Sequence, residues 1–205
     1  KDRTLTTPVA VAAVLSALLL AAAPASADPP AKAPDAARVP TAAEQFDAGV
    51  HAYKARNYEA AASHFEAADA AVPSAFALRQ AIRARADAGQ GSRAATLAQL
   101  ALERYGSDDA LSKAAHDAID KFEPGLQKVS VSCASPCVLA IGTRSVPGDA
   151  STRWVVYLDP GKVAISASFF GGASGAPRTS AAKAGGAVEV RFDPEEKKPA
   201  APVTP

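Results

Sequence analysis

The stretch FEPGLQK, residues 122–128, divides the chain into two parts of different composition and period. Pro124 cannot continue a helix, because its ring removes a backbone donor and clashes with the preceding turn. Gly125 then suits the turn that follows. Upstream of this seam the chain is rich in Ala, Glu and Arg and reads as helical. Downstream it is rich in Val, Ser and Gly and alternates as strands do. The expected fold is α+β in two domains. About five antiparallel helices cover residues 42–123, and a small all-β module covers residues 126–193.

On the helical side, residues 42–73 read AAEQFDAGVHAYKARNYEAAASHFEAADAAVP. Gly49 stands at a small position of a first helix. Tyr58 opens a second helix after the ARN turn, Ala61, Phe65 and Ala68 follow along it, and Pro73 ends the unit. This pattern resembles the tetratricopeptide repeat, a 34-residue pair of antiparallel helices. Its physical basis is close packing: small residues let two helices approach, and Phe65 fills the space beside them. Ala52 departs from the pattern, since the family usually places an aromatic there, and Tyr53 is next to it. A second, weaker unit runs from about Ala75 to Gly106, with Ala94, Ala98 and Ala101 near the small positions and Gly89 and Gly91 in its turn. SDDALSKAAHDAIDKFEP supplies a fifth helix, with Ser107 or Asp108 as N-cap and an apolar stripe of Leu111, Ala115 and Ile119.

On the other side, Val129, Val131 and Cys133 share one face of a first strand, and Cys137, Leu139 and Ile141 share a face of a second. The two cysteines thus flank an Ala-Ser-Pro turn in an expected hairpin. RWVVYL (153–158) and KVAISASFF (162–170) follow, joined by the turn signal Asp159-Pro160-Gly161. A Gly/Ser/Ala loop is expected over 171–186, and AVEVRF (187–192) closes the set. The opening KVSVS, LDPGKVAISASFFGG with its turn, long strand and glycine exit, and the final AVEVRF resemble the small β-sandwich of the PEGA-type family. That family occurs in exported and envelope proteins. The family's proline-x-glycine-alanine signature is replaced here by ASPCV.

The chain ends point to export. Lys1 and Arg3 form a basic head, Val9–Ala23 is uncharged and almost wholly apolar, and Pro24 breaks it ahead of Ala25-Ser26-Ala27. This is the pattern of a secretory signal with cleavage after Ala27, and the run is short for a membrane span, with an uncleaved anchor as the rival reading. Residues 1–27 are thus read as signal peptide, and residues 28–41 and 194–205, rich in Pro and Ala, as solvated spacer and tail. The mature chain is expected in the periplasm or outside the cell. Such a compartment is oxidising, so Cys133 and Cys137 are read as a disulfide. A free thiol pair and a metal clamp are the alternatives. The three-residue spacer suits neither the usual zinc pair nor a thioredoxin-like motif, and no second Cys/His pair completes a metal set.

The formal net charge is +1, and residues 1–27 hold Lys1, Arg3 and Asp2, so the remainder has as many basic as acidic residues. No basic stripe of a nucleic-acid binder is present. GQGSRA (89–94) has the form of a dinucleotide loop but follows a helix, and GGASG (171–175) is one residue short of a nucleophile elbow. His51, His64 and His116 lack companions at metal spacing, and Asp108-Asp109 reads as a helix start. No nucleophile, base and oxyanion donor assemble, so no enzyme, cofactor or metal is expected. Stacked helical pairs form a concave groove instead. The repeat resemblance implies that Asp47, Val50, Tyr53 and Lys54 line it from the first unit, and Arg79, Gln80, Arg83 and Asp87 from the second. Arg79 and Arg83 lie one turn apart, a spacing that suits a carboxylate, with a merely solvated basic face as the alternative. The expected function is a non-catalytic exported adaptor. It would hold a protein or peptide in the helical groove and an envelope component on the β-module, without spanning the membrane. The alternative is a carbohydrate or peptidoglycan binder with the helices as spacer. Trp154 and Tyr157 are its candidate platform, although their odd spacing puts them on opposite strand faces.

Overall fold

The computed structural model describes Arg38–Pro194. The expected signal segment, most of the spacer and most of the tail lie outside the described residues. Five helices come first: α1 (Ala42–Lys54), α2 (Tyr58–Ala71), α3 (Ala75–Asp87), α4 (Gly91–Tyr105) and α5 (Asp109–Phe122). Short polar side chains start four of them by accepting backbone N–H groups that the helix leaves free. Thr41 and Glu44 form a capping box on α1, with Thr41 N donating to Glu44 Oε2 at 2.8 Å. Asn57, Ser74 and Asp108 cap α2, α3 and α5. Glu123–Gly125 makes one turn of 3-10 helix at the seam.

Consecutive helices pack on one another, and α3 also meets α5. The contact faces are largely alanine: Ala61, Ala62, Ala81, Ala94, Ala95, Ala98 and Ala101 are fully buried. Gly49 fulfils its expected role. A Cβ built there would sit 2.6 Å from Phe65 Cε1, so only a hydrogen fits where α1 crosses α2.

Six strands follow: β1 (Gln127–Ile141), β2 (Arg144–Ser145), β3 (Ser151–Leu158), β4 (Gly161–Phe169), β5 (Arg178–Ala182) and β6 (Ala187–Phe192). The layout is thus α+β in two parts, as the seam implied. The hairpin expected around Ala-Ser-Pro is not formed. β1 runs through as one long strand, whose first half pairs with β3 and, in parallel, with β6, and whose second half pairs with β4 and β2. Ser132 lies opposite Arg153 and Cys137 opposite Ser151, so Cys133–Pro136 face the single residue Thr152. This is an enlarged bulge, larger than the usual two residues against one. The Cα atoms of Cys133 and Cys137 are 6.3 Å apart, whereas four residues of extended strand span about 13 Å. The even spacing of the cysteines returns the chain to the same inward face after the excursion. The sequence pattern therefore fits a bulge as well as a hairpin. The stretch 171–186, expected as loop, contains β5, in which only Ala182 is buried. With so little apolar alternation, β5 is set by its antiparallel pairing to β4.

The inward residues of both halves of β1 join Trp154, Val156, Leu158, Ile165, Phe169 and Phe192 in one apolar core. The opposite face of β3 carries Val155 and Tyr157 into the helical core. β3 is thus covered on both sides, by its own sheet and by α4. Hydrogen bonds tie this seam beside β3: Tyr157 N donates to Thr96 Oγ1 at 3.0 Å, and Ser92 Oγ to Asp159 Oδ2 at 2.6 Å. From Val39 onward, helices and sheet form one compact unit.

Candidate partner-binding groove

α1, α3 and α5 lie side by side, and their shared face carries the residues expected in the groove. Between α3 and α5 the surface sinks into a groove of about 410 Å³. Ile82, Ala86, Ala114, Ala118 and Phe122 make its apolar floor. Arg79, Gln80 and Arg83 rise from α3 on one side, and Asp117 and Lys121 from α5 on the other. The heptad-like spacing of Arg79, Arg83 and Ala86 places all three on one helix face, and Ala114, Ala118 and Lys121 do the same on α5.

The charges in the groove are not balanced. Asp117 is held by Lys113, Nζ to Oδ2 at 2.8 Å. Asp87 accepts the Tyr53 hydroxyl and lies 3.8 Å from Arg83 Nε. The Arg83 guanidinium also sits 5.2 Å above the Tyr53 ring. Arg79 instead covers the ring of Phe76 at 5.2 Å, and Lys121 that of Phe122 at 4.9 Å. Among the described residues, Arg79 and Lys121 have no carboxylate partner. Two cations therefore face each other across an apolar floor. Burial, together with the Asp87 carboxylate, pushes the Tyr53 phenol above its ordinary pKa, so it remains a neutral donor.

The structure brings Tyr53, Arg83 and Asp87 into one cluster that links α1 to α3. Arg79 and Gln80 enter the groove. Asp47 and Lys54 are exposed on α1 apart from it, and Val50 is half-buried. The carboxylate grip read from Arg79 and Arg83 is altered, because Asp87 already engages Arg83. Lys121 faces Arg79 in its place. Sequence reasoning missed the whole α5 wall, since the fifth helix was read only for its core stripe of Leu111, Ala115 and Ile119. It also missed Phe46 and Phe76, whose rings lie 5.3 Å apart where α1 meets α3. Phe76 is 51% exposed, and a large apolar side chain left so open on a helix that starts with Ser74 was the available signal.

The remaining sequence features have structural roles. Gly91 lies in the first turn of α4, where a Cβ would come within 2.7 Å of the Phe122 ring. Asp108 caps α5 by accepting from Leu111 N at 2.8 Å. His64 pairs with Gln45 at 2.8 Å, and His51 and His116 are exposed away from it. Trp154 is 7% exposed and Tyr157 2%, so neither offers a ring for sugar stacking. Cys133 and Cys137 are at disulfide distance, with sulfurs 2.04 Å apart. Among the described residues, no group of three or more His, Cys, Asp or Glu is placed to hold a metal, and no helix is long and apolar enough to cross a membrane. No protein-family model matches the chain, and comparison with curated proteins finds no match.

Proposed function

We propose that the chain is a non-catalytic binding protein, exported to an oxidising compartment, whose α3–α5 groove takes an acidic peptide segment of a protein partner. The observation that carries this reading is the pair of cations without acidic partners, Arg79 and Lys121, over the apolar floor of Ile82, Ala118 and Phe122. Such a groove matches a segment with one or two carboxylates beside an apolar side chain. Carboxylates would take hydrogen bonds from Arg79 and Lys121, and the apolar side chain would cover the floor. Tyr53, Arg83 and Asp87, already bonded to one another, act as a rigid end wall. The Cys133–Cys137 pair supports the compartment, because disulfides persist outside the reducing cytosol.

The test is an array of short peptides, acidic, neutral and basic, probed with the chain from Asp28 onward. Acidic peptides with an apolar residue should bind best. Changing Arg79 and Lys121 together to Ala should weaken them by about tenfold or more, the range for charged pairs at an interface. The melting temperature should hardly move, since both side chains are surface groups. Acidic peptides bound no better than basic ones, or bound equally by the double variant, would remove the groove as the site.

A further inference from the structure

A second cleft of about 120 Å³ opens where α2 and α4 meet the sheet. Its floor is apolar, built by Leu97 from α4 and by Ile141, Val146, Leu158 and Val163 from the sheet side. Arg93 and Arg144 stand at its rim.

The charge around it can be counted group by group. Glu66 is the shared acid of the helical side. Arg85, fully buried, donates to it at 2.5 Å, and Arg93 lies 3.7 Å away. One carboxylate thus serves two guanidinium groups, with the exposed Glu59 4.0 Å from Arg93. Asp159 is occupied by the Ser92 hydroxyl at 2.6 Å. Arg144, on the two-residue strand β2, is exposed and has no carboxylate partner among the described residues. Burial and the neighbouring charge of Arg85 hold the Arg93 guanidinium below its ordinary pKa, with Glu66 only partly opposing them and Arg144 adding to the repulsion. Acids and bases are thus equal in number around the cleft, but they are not paired throughout: Arg144 stands at the rim of an apolar hollow without a carboxylate within ion-pair distance among the described residues.

We infer that this cleft binds a small aliphatic monocarboxylate, its carboxylate between Arg93 and Arg144 and its chain over Leu97, Val146 and Val163. Single negative charge fits, because one carboxylate gives Arg144 the partner it lacks and a second would meet Glu66 and Asp159. The hollow suits a short chain, since a cavity of about 150 Å³ holds a benzene-sized molecule. The site is separate from the α3–α5 groove, and its ligand is of another class. The side chains that shape it come from both helices and sheet, so a bound ligand bridges the seam.

Butanoate, hexanoate, hexanol and hexylamine serve as probes, titrated into the chain from Asp28 onward while backbone amide resonances are followed. Hexanoate should saturate and shift Thr96, Val146 and Val163 most. Butanoate should bind roughly tenfold more weakly, because each buried methylene is worth about 0.8 kcal/mol. Hexanol should be about tenfold weaker, having no charge for the guanidinium groups, and hexylamine should not saturate. Arg144→Gln should weaken hexanoate about tenfold while leaving the melting temperature and acidic-peptide binding unchanged. The inference is overturned by absence of saturation with hexanoate, by shifts centred elsewhere, by equal affinity for hexanol, or by indifference to Arg144→Gln. Loss of peptide binding to the Arg79 and Lys121 double variant bears only on the other groove, so the two sites can fail independently.

Discussion

Gly49 and Phe65 meet at the crossing of α1 and α2, and the pair shows what one atom decides. Alanine would add about 1 kcal/mol of helix propensity at residue 49. Its Cβ would lie 2.6 Å from a ring that is itself buried and packed against Phe46, 5.2 Å away. Overpacking of this kind costs typically 1–3 kcal/mol. Gly49→Ala should therefore lower stability by about 1 kcal/mol in chemical denaturation, and Phe65→Leu in the same chain should recover part of the loss. Arg85 is the opposite case. Its side chain donates to Glu66 at 2.5 Å, Gln90 at 2.7 Å and Ser63 at 3.2 Å, with none of it exposed. Arg85→Ala should cost about 3 kcal/mol, by removing three hydrogen bonds and leaving the partly buried Glu66 with only its longer contact to Arg93, whereas Arg85→Met with Glu66→Leu should cost clearly less. Gly49 was legible in the sequence because close helix approach demands a small residue at a known spacing. Arg85 was not. It stands two residues after Arg83, about 200° around the helix, and composition does not separate the arginine that faces water from the one that faces Glu66.

The same limit appears in the elements. All five helices were legible, because caps, small positions and stops are local signals. The strands of 127–141 were misread as a hairpin, since inward positions at even spacing describe a bulged strand equally well. What selects the bulge is remote: Arg153 and Ser151 on one side, Phe169 on the other, each paired to β1 from across the module. The disulfide now closes a bulge where β1 changes partners, rather than the neck of a turn. The chain-entropy treatment gives about 2 kcal/mol for so short a loop. Reduction, or Cys133→Ala with Cys137→Ala, should lower stability by roughly that amount. Amide exchange should quicken most at Arg153 and Phe169, which flank the bulge. Thiol titration of the native and unfolded chain, without reductant, checks the bond itself: no free thiol is expected in either state.

At the scale of the whole molecule, the seam at 122–128 was plain in the sequence, and what packs across it was not. A signal existed. Trp154 to Leu158 are five apolar residues in succession, more than a strand with one wet face carries, and such a run marks burial on both faces. The second cover proved to be α4. Tyr157 contributes twice, by its ring in the helical core and by its backbone N–H to Thr96 Oγ1. Arg104 also reaches Asp149 at 2.6 Å across the seam, but Asp149 is 93% exposed, and a pair so open to water adds little. Coupling between the two parts therefore rests on the buried strip along β3. Trp154, the only tryptophan, lies in the sheet core and reports on the sheet, while far-ultraviolet circular dichroism reports mainly on the helices. In the unaltered chain the two signals should change together, the mark of one cooperative unit. Tyr157→Ala should remove about 3 kcal/mol, as large-to-small aromatic changes in cores do. It should also separate the two signals, because what remains between α4 and β3 no longer ties their unfolding. Reduction of the disulfide then becomes a second probe of the same coupling. It should shift the helical signal in the unaltered chain and leave it in place in Tyr157→Ala. Signals already separate in the unaltered chain would mean that the seam divides two independently stable domains.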